Sequence, residues 1–175
     1  MGKRSDFERV PRDFYPTPYE AVIPLLPHLG QAAFIEPCAG DGALIRYLER
    51  HGHTCVEAFD IAPQADGISL GDALTFQRGE GFNCFITNPP WDRKVLHPLI
   101  ENLCRQKATW LLFDADWMHT RQSAHLMTMC VKIVSVGRVK WIPDRKMTGK
   151  DNCCWYKFDY WGASKYPVIV GRSAT

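Results

Sequence analysis

Ala32-Ala33-Phe34-Ile35-Glu36-Pro37-Cys38-Ala39-Gly40-Asp41-Gly42 is the stretch whose reading decides the fold. Its first half, AAFIE, is a short apolar run ending in an acid, the pattern of a buried parallel strand. Its second half, PCAGDG, is a turn punctuated by a proline and two glycines. From Gly42 to Glu49 (GALIRYLE) apolar residues fall at 44, 45, 47 and 48, a helical spacing, and Gly52 closes the helix.

Outward from this centre the alternation continues. Upstream, Tyr15 and Thr17 each precede a proline and so avoid helical backbone. Pro18 suits a first helical turn with Thr17 as N-cap, which predicts a helix from Pro18 to Leu26 ended by Pro27. Downstream, strands are expected over 54–59, weakly within 67–74, and over 83–87, 109–113, 132–142 and 153–159. Helices are expected over 95–104 and 120–130, and the last fifteen residues carry no strong pattern. The fold class is therefore α/β: a Rossmann-like three-layer sandwich whose mostly parallel, seven-stranded sheet ends in an antiparallel hairpin. A single domain spans 1–175, with 1–12 expected to be flexible and 143–152 (PDRKMTGKDN) to form a basic loop.

Length and composition agree. The chain has 175 residues, 46% hydrophobic and 23% charged, enough to build one core without disulfides or a structural metal. No apolar run approaches the roughly 20 residues that cross a bilayer, and the polar start lacks the apolar core of a secretory signal. The seven cysteines are odd in number and form no C-x-x-C pair, and the six histidines show no metal spacing. A reduced cytoplasmic protein with no metal and no membrane contact is expected. Charge is uneven: residues 1–92 hold 7 Lys/Arg and 13 Asp/Glu, whereas 93–150 hold 11 and 4. That asymmetry fits a polyanion partner, or an ordinary solvated basic surface.

In such sheets ligands sit beyond the carboxyl ends of the strands. Gly40 and Gly42 let the backbone approach a bound molecule, although the turn lacks the full G-x-G-x-x-G spacing of ordinary dinucleotide binding. Asp60, at the end of the next strand, can accept both hydroxyls of a ribose, or can simply begin an exposed turn. Asp72 can reach an adenine amino group. Asn88-Pro89-Pro90-Trp91 is the sharpest signal. Two prolines make the backbone rigid and remove two donors, leaving the Asn88 side-chain oxygen and the Pro89 carbonyl as paired acceptors for an exocyclic amine. Trp91 offers a face on which a planar base can stack. The bland alternative is a proline-rich turn with a buried tryptophan. Asp114 and Asp116 are as well explained as capping residues, and Cys38 as small filler.

E-P-C-A-G-D-G followed by N-P-P-W resembles the motif pair of class I S-adenosylmethionine-dependent methyltransferases that modify exocyclic amino groups. Asp13 to Pro18 (DFYPTP) resembles the further motif of the adenine-N6 branch, and the order of the three matches the arrangement with the cofactor region first. The specific motifs cover 13–91, and a short chain with Y-P-T-P near its start is similar to phage and prophage DNA adenine methyltransferases. The resemblance implies that Tyr15, Pro16 and Thr17 line the methionine end of S-adenosylmethionine. Glu36, Pro37, Ala39, Gly40 and Gly42 would border its amino-acid moiety. Asp60 would hold the ribose, Ile61 would lie against the adenine, and Asp72 and Ala73 would hold its edge. Asn88, Pro89, Pro90 and Trp91 would form the catalytic set.

DNA is the implied partner, with RNA or a protein glutamine as alternative substrates and an inactive binding subunit as a further alternative. The implied location is the cytoplasm of a bacterium or phage-infected host. Arg93, Lys94, Arg138, Lys140, Arg145, Lys146 and Lys150 are the candidate nucleic-acid contacts. The chain departs from sequence-reading relatives in having little room for a target-recognition region. Specificity is therefore expected to be short, relaxed or supplied by dimerisation, and monomer and homodimer both stay open.

Overall fold

The computed structural model describes residues 15–142, 149, 151–162 and 166–172. The strands are β1 (Ala33–Glu36), β2 (Thr54–Asp60), β3 (Ser69–Leu70), β4 (Cys84–Thr87), β5 (Ala108–Asp114), β6 (Cys130–Arg138), β7 (Asn152–Phe158) and β8 (Val168–Val170). The α-helices are α1 (Tyr19–Val22), α2 (Ala43–Arg50), α3 (Arg93–Gln106) and α4 (Ala124–Met127). One sheet runs in the order β3-β2-β1-β4-β5-β7-β6-β8. β7 is antiparallel to both β5 and β6, and the other pairings are parallel.

Period-two alternation along the central strands sends side chains to two cores. On one face Ile35, Phe85, Leu111, Phe113 and Tyr156 pack under Leu96, Leu99, Ile100 and Leu103 of α3. On the other Phe34, Ile86, Leu112 and Trp155 pack under Ala21, Val22, Leu44 and Leu48 of α1 and α2. This is the expected three-layer sandwich with its antiparallel hairpin.

The details differ in instructive ways. The sheet has eight strands rather than seven, because Val168–Val170 adds an outer strand beside β6. Three largely exposed residues give no alternation to read. The third strand shrinks to Ser69–Leu70. α1 covers only Tyr19–Val22, with Pro18 rather than Thr17 at its N-cap and no side-chain cap, and a 3-10 turn follows at Leu26–His28. The helix expected over 120–130 divides into a 3-10 turn at Arg121–Ser123 and α4. α3 starts earlier than predicted because Asp92 caps it, its carboxylate accepting the Lys94 N–H at 2.9 Å. β6 ends at Arg138, after a register shift at Gly137, whose φ of 88° departs from strand geometry. No helix among the described residues is long and apolar enough to cross a membrane.

β1, β4, β5 and β6 point the same way, so the segments after them share one edge of the sheet. Among the described residues, that edge carries the turn after Glu36 and the N-P-P-W motif.

Candidate active site

Glu36 ends β1 with its side chain buried. Burial pushes its carboxyl well above the usual carboxylate range, and the neighbouring charges of Asp41 and Asp60 push it further. Its Oε2 has no hydrogen-bond partner. A buried carboxylate oxygen without a donor is costly, and a cationic ligand would satisfy it. The turn that follows is tightly held. Gly40 and Gly42 have φ of 53° and 73°, the left-handed region that a side chain disfavours. The Gly42 N–H donates to the Ala39 carbonyl at 2.7 Å, and the Gly40 carbonyl accepts the Gln64 N–H at 2.9 Å.

Asp60 organises the loop as well as facing the cavity. Its Oδ2 accepts the Gly40 N–H at 2.9 Å and its Oδ1 the Ala62 N–H at 2.7 Å. Each oxygen has a further lone pair for a ligand hydroxyl. Asp72 accepts the Leu74 N–H at 2.9 Å. Its loop is pinned from below by α3, in contacts that sequence reading missed. Asn102 Nδ2 donates to the carbonyls of Ala73 (2.8 Å) and Phe76 (3.1 Å), and Gln106 Nε2 donates to Phe76 (2.9 Å). The Arg78–Glu57 ion pair ties the same loop to β2. Gly71, just before it, admits no side chain, since a Cβ there would lie 2.8 Å from the Phe59 ring.

After β4, Asn88 Nδ2 donates to the Tyr15 carbonyl at 3.4 Å. The amide group is thereby oriented: its nitrogen is committed to the N-terminal segment and its oxygen is the acceptor left to a ligand. That segment is itself anchored, because Trp155 Nε1 donates to the Ala21 carbonyl at 2.7 Å within the core. Pro89 is buried, and Pro90 reaches the cavity. Trp91 is half-buried outside the cavity lining, edge-to-face with Trp141 at 5.7 Å between ring centres. The Trp141 contact brings the start of the loop after β6 against the N-P-P-W motif, a pairing that no local pattern announces.

Between these elements lies a cavity of about 1000 Å³. Tyr15, Pro16, Thr17, Glu36, Pro37, Ala39, Gly40, Asp60, Ile61, Asp72 and Ala73 all line it, together with Asn88 and Pro90. Gly42 does not. It borders a separate groove of about 430 Å³ beside Arg46 and Val56, where a loop rather than a helix joins β2 to β3. Asp92, Val95 and Leu99 also line the main cavity and were not anticipated; the acid directly after N-P-P-W is the one signal that could have found them. Among the described residues the lining holds Glu36, Asp41, Asp60, Asp72 and Asp92, and no Lys, Arg or His. Cys38 also faces it, but burial, and then Asp60, push its thiol far above the range of a nucleophile.

Arg93 and Lys94 open α3 at this edge, with Arg93 donating to Gln122 at 3.4 Å. Arg138 ends β6 at the same edge, and the Lys140 N–H donates to Glu20 of α1 at 2.9 Å. Arg145, Lys146 and Lys150 lie outside the described residues. No group of three or more metal-binding side chains gathers among the described residues.

No protein-family model matches the chain, and no curated protein matches it. Solved structures do. A protein from Pyrococcus horikoshii, provisionally described as an RNA methyltransferase, superposes with a TM-score of 0.60 at 17% identity, over 90% of this chain and 92% of that one. A protein from Listeria monocytogenes, provisionally described as a class I S-adenosylmethionine-dependent methyltransferase, gives 0.62 at 12% identity, over 97% of this chain and 68% of that one. The chain has the class I methyltransferase fold. A dimethyladenosine transferase from Plasmodium falciparum gives 0.54 at 16% identity, over 83% of this chain and 62% of that one.

S-adenosylmethionine can be tested against the methyltransferase-fold cavity by its charges. Its sulfonium and ammonium outweigh its single carboxylate, and the cavity offers carboxylates without a competing cation, including one buried and unsatisfied oxygen. A dinucleotide's phosphates would meet only repulsion there. The residues present fit the cofactor.

Proposed function

We propose that the chain transfers a methyl group from S-adenosylmethionine to the exocyclic N6 amine of adenine in DNA. The observation that carries this reading is the Asn88 amide, turned by its hydrogen bond to Tyr15 so that its oxygen is left as an acceptor in the cavity lining. When bound, the cofactor supplies an electrophilic methyl group on a sulfonium centre. Glu36 would hold its ammonium, Asp60 its ribose hydroxyls, and Asp72 the adenine edge. Asn88 Oδ1 and the Pro89 carbonyl would each accept one N–H of the target amine. Two acceptors on the amine localise the nitrogen lone pair and aim it, so catalysis rests on positioning and electrostatics rather than on a separate base. In a duplex the base must first leave the stack, and Arg93, Lys94, Arg138 and Lys140 lie where they could hold the flanking phosphates.

A second reading, adenine-N6 transfer to RNA, draws on two of the similar structures, one provisionally described as an RNA methyltransferase and the other a dimethyladenosine transferase. Labelled-methyl transfer to DNA and RNA pools, followed by nucleoside analysis, tests both. Labelled N6-methyldeoxyadenosine is expected. N6-methyladenosine from RNA alone would select the second reading, and no labelled nucleic acid would reject both.

A further inference from the structure

Asp92 directly follows the N-P-P-W motif and caps α3, and it belongs to the cavity as well as to the helix. Residues 92, 95 and 99 recur at intervals of three and four, so they share one face of α3. All three line the cavity, where Val95 and Leu99 set an apolar wall beside the carboxylate. The acid is held in place, because its Oδ1 accepts the Lys94 N–H at 2.9 Å. Among the described residues its Oδ2 accepts no hydrogen bond, and no cation pairs with the carboxylate. Its basic neighbours lie outside the lining, with Arg93 donating to Gln122 at 3.4 Å and Lys94 exposed.

The other lining acids differ from it. Asp41 shares its charge with Arg46 at 3.6 Å, and burial favours the protonated form of Glu36 while the site is empty. Asp60 and Asp72 accept backbone N–H groups of their own loops, after β2 and β3. Asp92 alone stands on the segment that carries Asn88 and Pro90, where the reading above puts the reaction. S-adenosylmethionine carries one net positive charge, and methyl transfer removes it. The bonding pair stays on sulfur, which becomes a neutral thioether, and the amine that gains the methyl gives its proton to water. A fixed carboxylate without a partner therefore attracts the ligand before transfer more strongly than after it.

We propose that Asp92 is a specificity-determining residue, whose carboxylate favours the cationic sulfonium cofactor over the neutral thioether product and so speeds the product's departure. This deepens the methyltransferase reading above and rests on it, whichever amine is the acceptor. The effect is one of charge and needs no direct contact. An apolar wall on one side keeps the attraction stronger than it would be in bulk water, while the exposure of Asp92 leaves it open to screening by salt.

The test is calorimetric titration of wild type, D92N and D92S with S-adenosylmethionine and with S-adenosylhomocysteine, at low and at moderate salt. Asn and Ser both cap helices as Asp does, so the variants remove the charge and keep the start of α3. Wild type should bind S-adenosylmethionine about tenfold more tightly than S-adenosylhomocysteine at low salt, and salt should narrow that ratio. Both variants should bind S-adenosylmethionine roughly fivefold more weakly and S-adenosylhomocysteine as wild type does. An unchanged ratio in the variants overturns the proposal. So does an equal loss for both ligands, which would give Asp92 a role in shaping the cavity instead. Wild type that binds the product as tightly as the cofactor overturns the sorting by charge. Wild type that binds neither ligand overturns the methyltransferase reading itself, and this role with it.

Discussion

At the scale of single residues, two side chains are set up for opposite tasks. Asn88 is oriented but not strained, and its removal should leave the cofactor pocket intact. Asn88→Ala is expected to keep cofactor affinity while turnover falls by about 10²–10³, the usual cost of one transition-state acceptor or donor. Single-turnover kinetics at saturating cofactor checks this. Glu36 instead carries an unsatisfied oxygen in the core. Its folded pKa is raised above 4.5 by burial first and by Asp41 and Asp60 next. The stability linked to such a group is complete below the unfolded pKa and is lost as pH rises toward the folded one, so the charged form is a burden at neutral pH. Glu36→Gln should therefore raise the melting temperature of the ligand-free protein, by about 2–4 °C for each kcal/mol relieved, while cofactor affinity falls. Thermal melts with and without cofactor separate the two effects. Both residues were legible in the sequence, because each ends a strand in a sheet whose ligands gather at strand ends. The direction of the Asn88 amide was not legible, since it depends on Tyr15, 73 positions away.

At the scale of elements, α3 joins the two halves of the site. Asp92 at its start faces the cavity next to Pro90, and Asn102 and Gln106 near its end hold the loop that carries Asp72 and Ala73. Asn102→Ala should lose the two hydrogen bonds to the loop carbonyls and the two that its Oδ1 accepts from Gln77 and Gln106, at about 1 kcal/mol each. The cofactor dissociation constant should rise severalfold, while turnover at saturating cofactor stays near wild type. Calorimetric titration beside steady-state kinetics reads that split. α3 also meets the 3-10 turn after β5, where His97 Nε2 accepts the Trp117 indole N–H at 3.0 Å and so must be neutral. Burial lowers the His97 pKa from 6.5, with His125 and Arg93 adding to it, and burial also lowers those of His28 and His53. Unfolding then takes up protons. The stability linked to these histidines should be complete above about pH 6.5 and decline as pH falls toward the folded values, with a shallower decline in His97→Gln; denaturation midpoints across pH 5 to 8 check both. The helix itself was legible from its apolar period. Its amide contacts were not, because they join residues nearly thirty positions apart. For the same reason β8, the division of the 120–130 helix and the Trp91–Trp141 contact escaped prediction: tertiary packing decides them, and none leaves a local period.

At the scale of the whole molecule, charge is divided between the site and its rim. The cavity lining is acidic, while Arg93, Lys94, Arg138 and Lys140 stand at the surrounding edge. Substrate binding should weaken steeply with salt, with a log–log slope of about −0.9 for each phosphate neutralised on duplex DNA. Replacing Arg93, Lys94 and Arg138 together should flatten that slope and weaken all sequences alike, as titrations over a range of salt would show. Cofactor affinity should vary far less with salt. The sheet order has a consequence of another kind. β7 lies inside the sheet, although it is made after β6: Tyr156 pairs with Leu111 and Ile133, and Trp155 with Leu112 and Val134. As the chain leaves the ribosome, β1 to β5 can assemble in sequence, but β5 keeps an open apolar edge until residue 158 has emerged. The hairpin that brings β6 and β7 together must then dock as a unit. Closure of the core therefore waits on β7, and until β7 docks the nascent chain can pair that edge with another molecule.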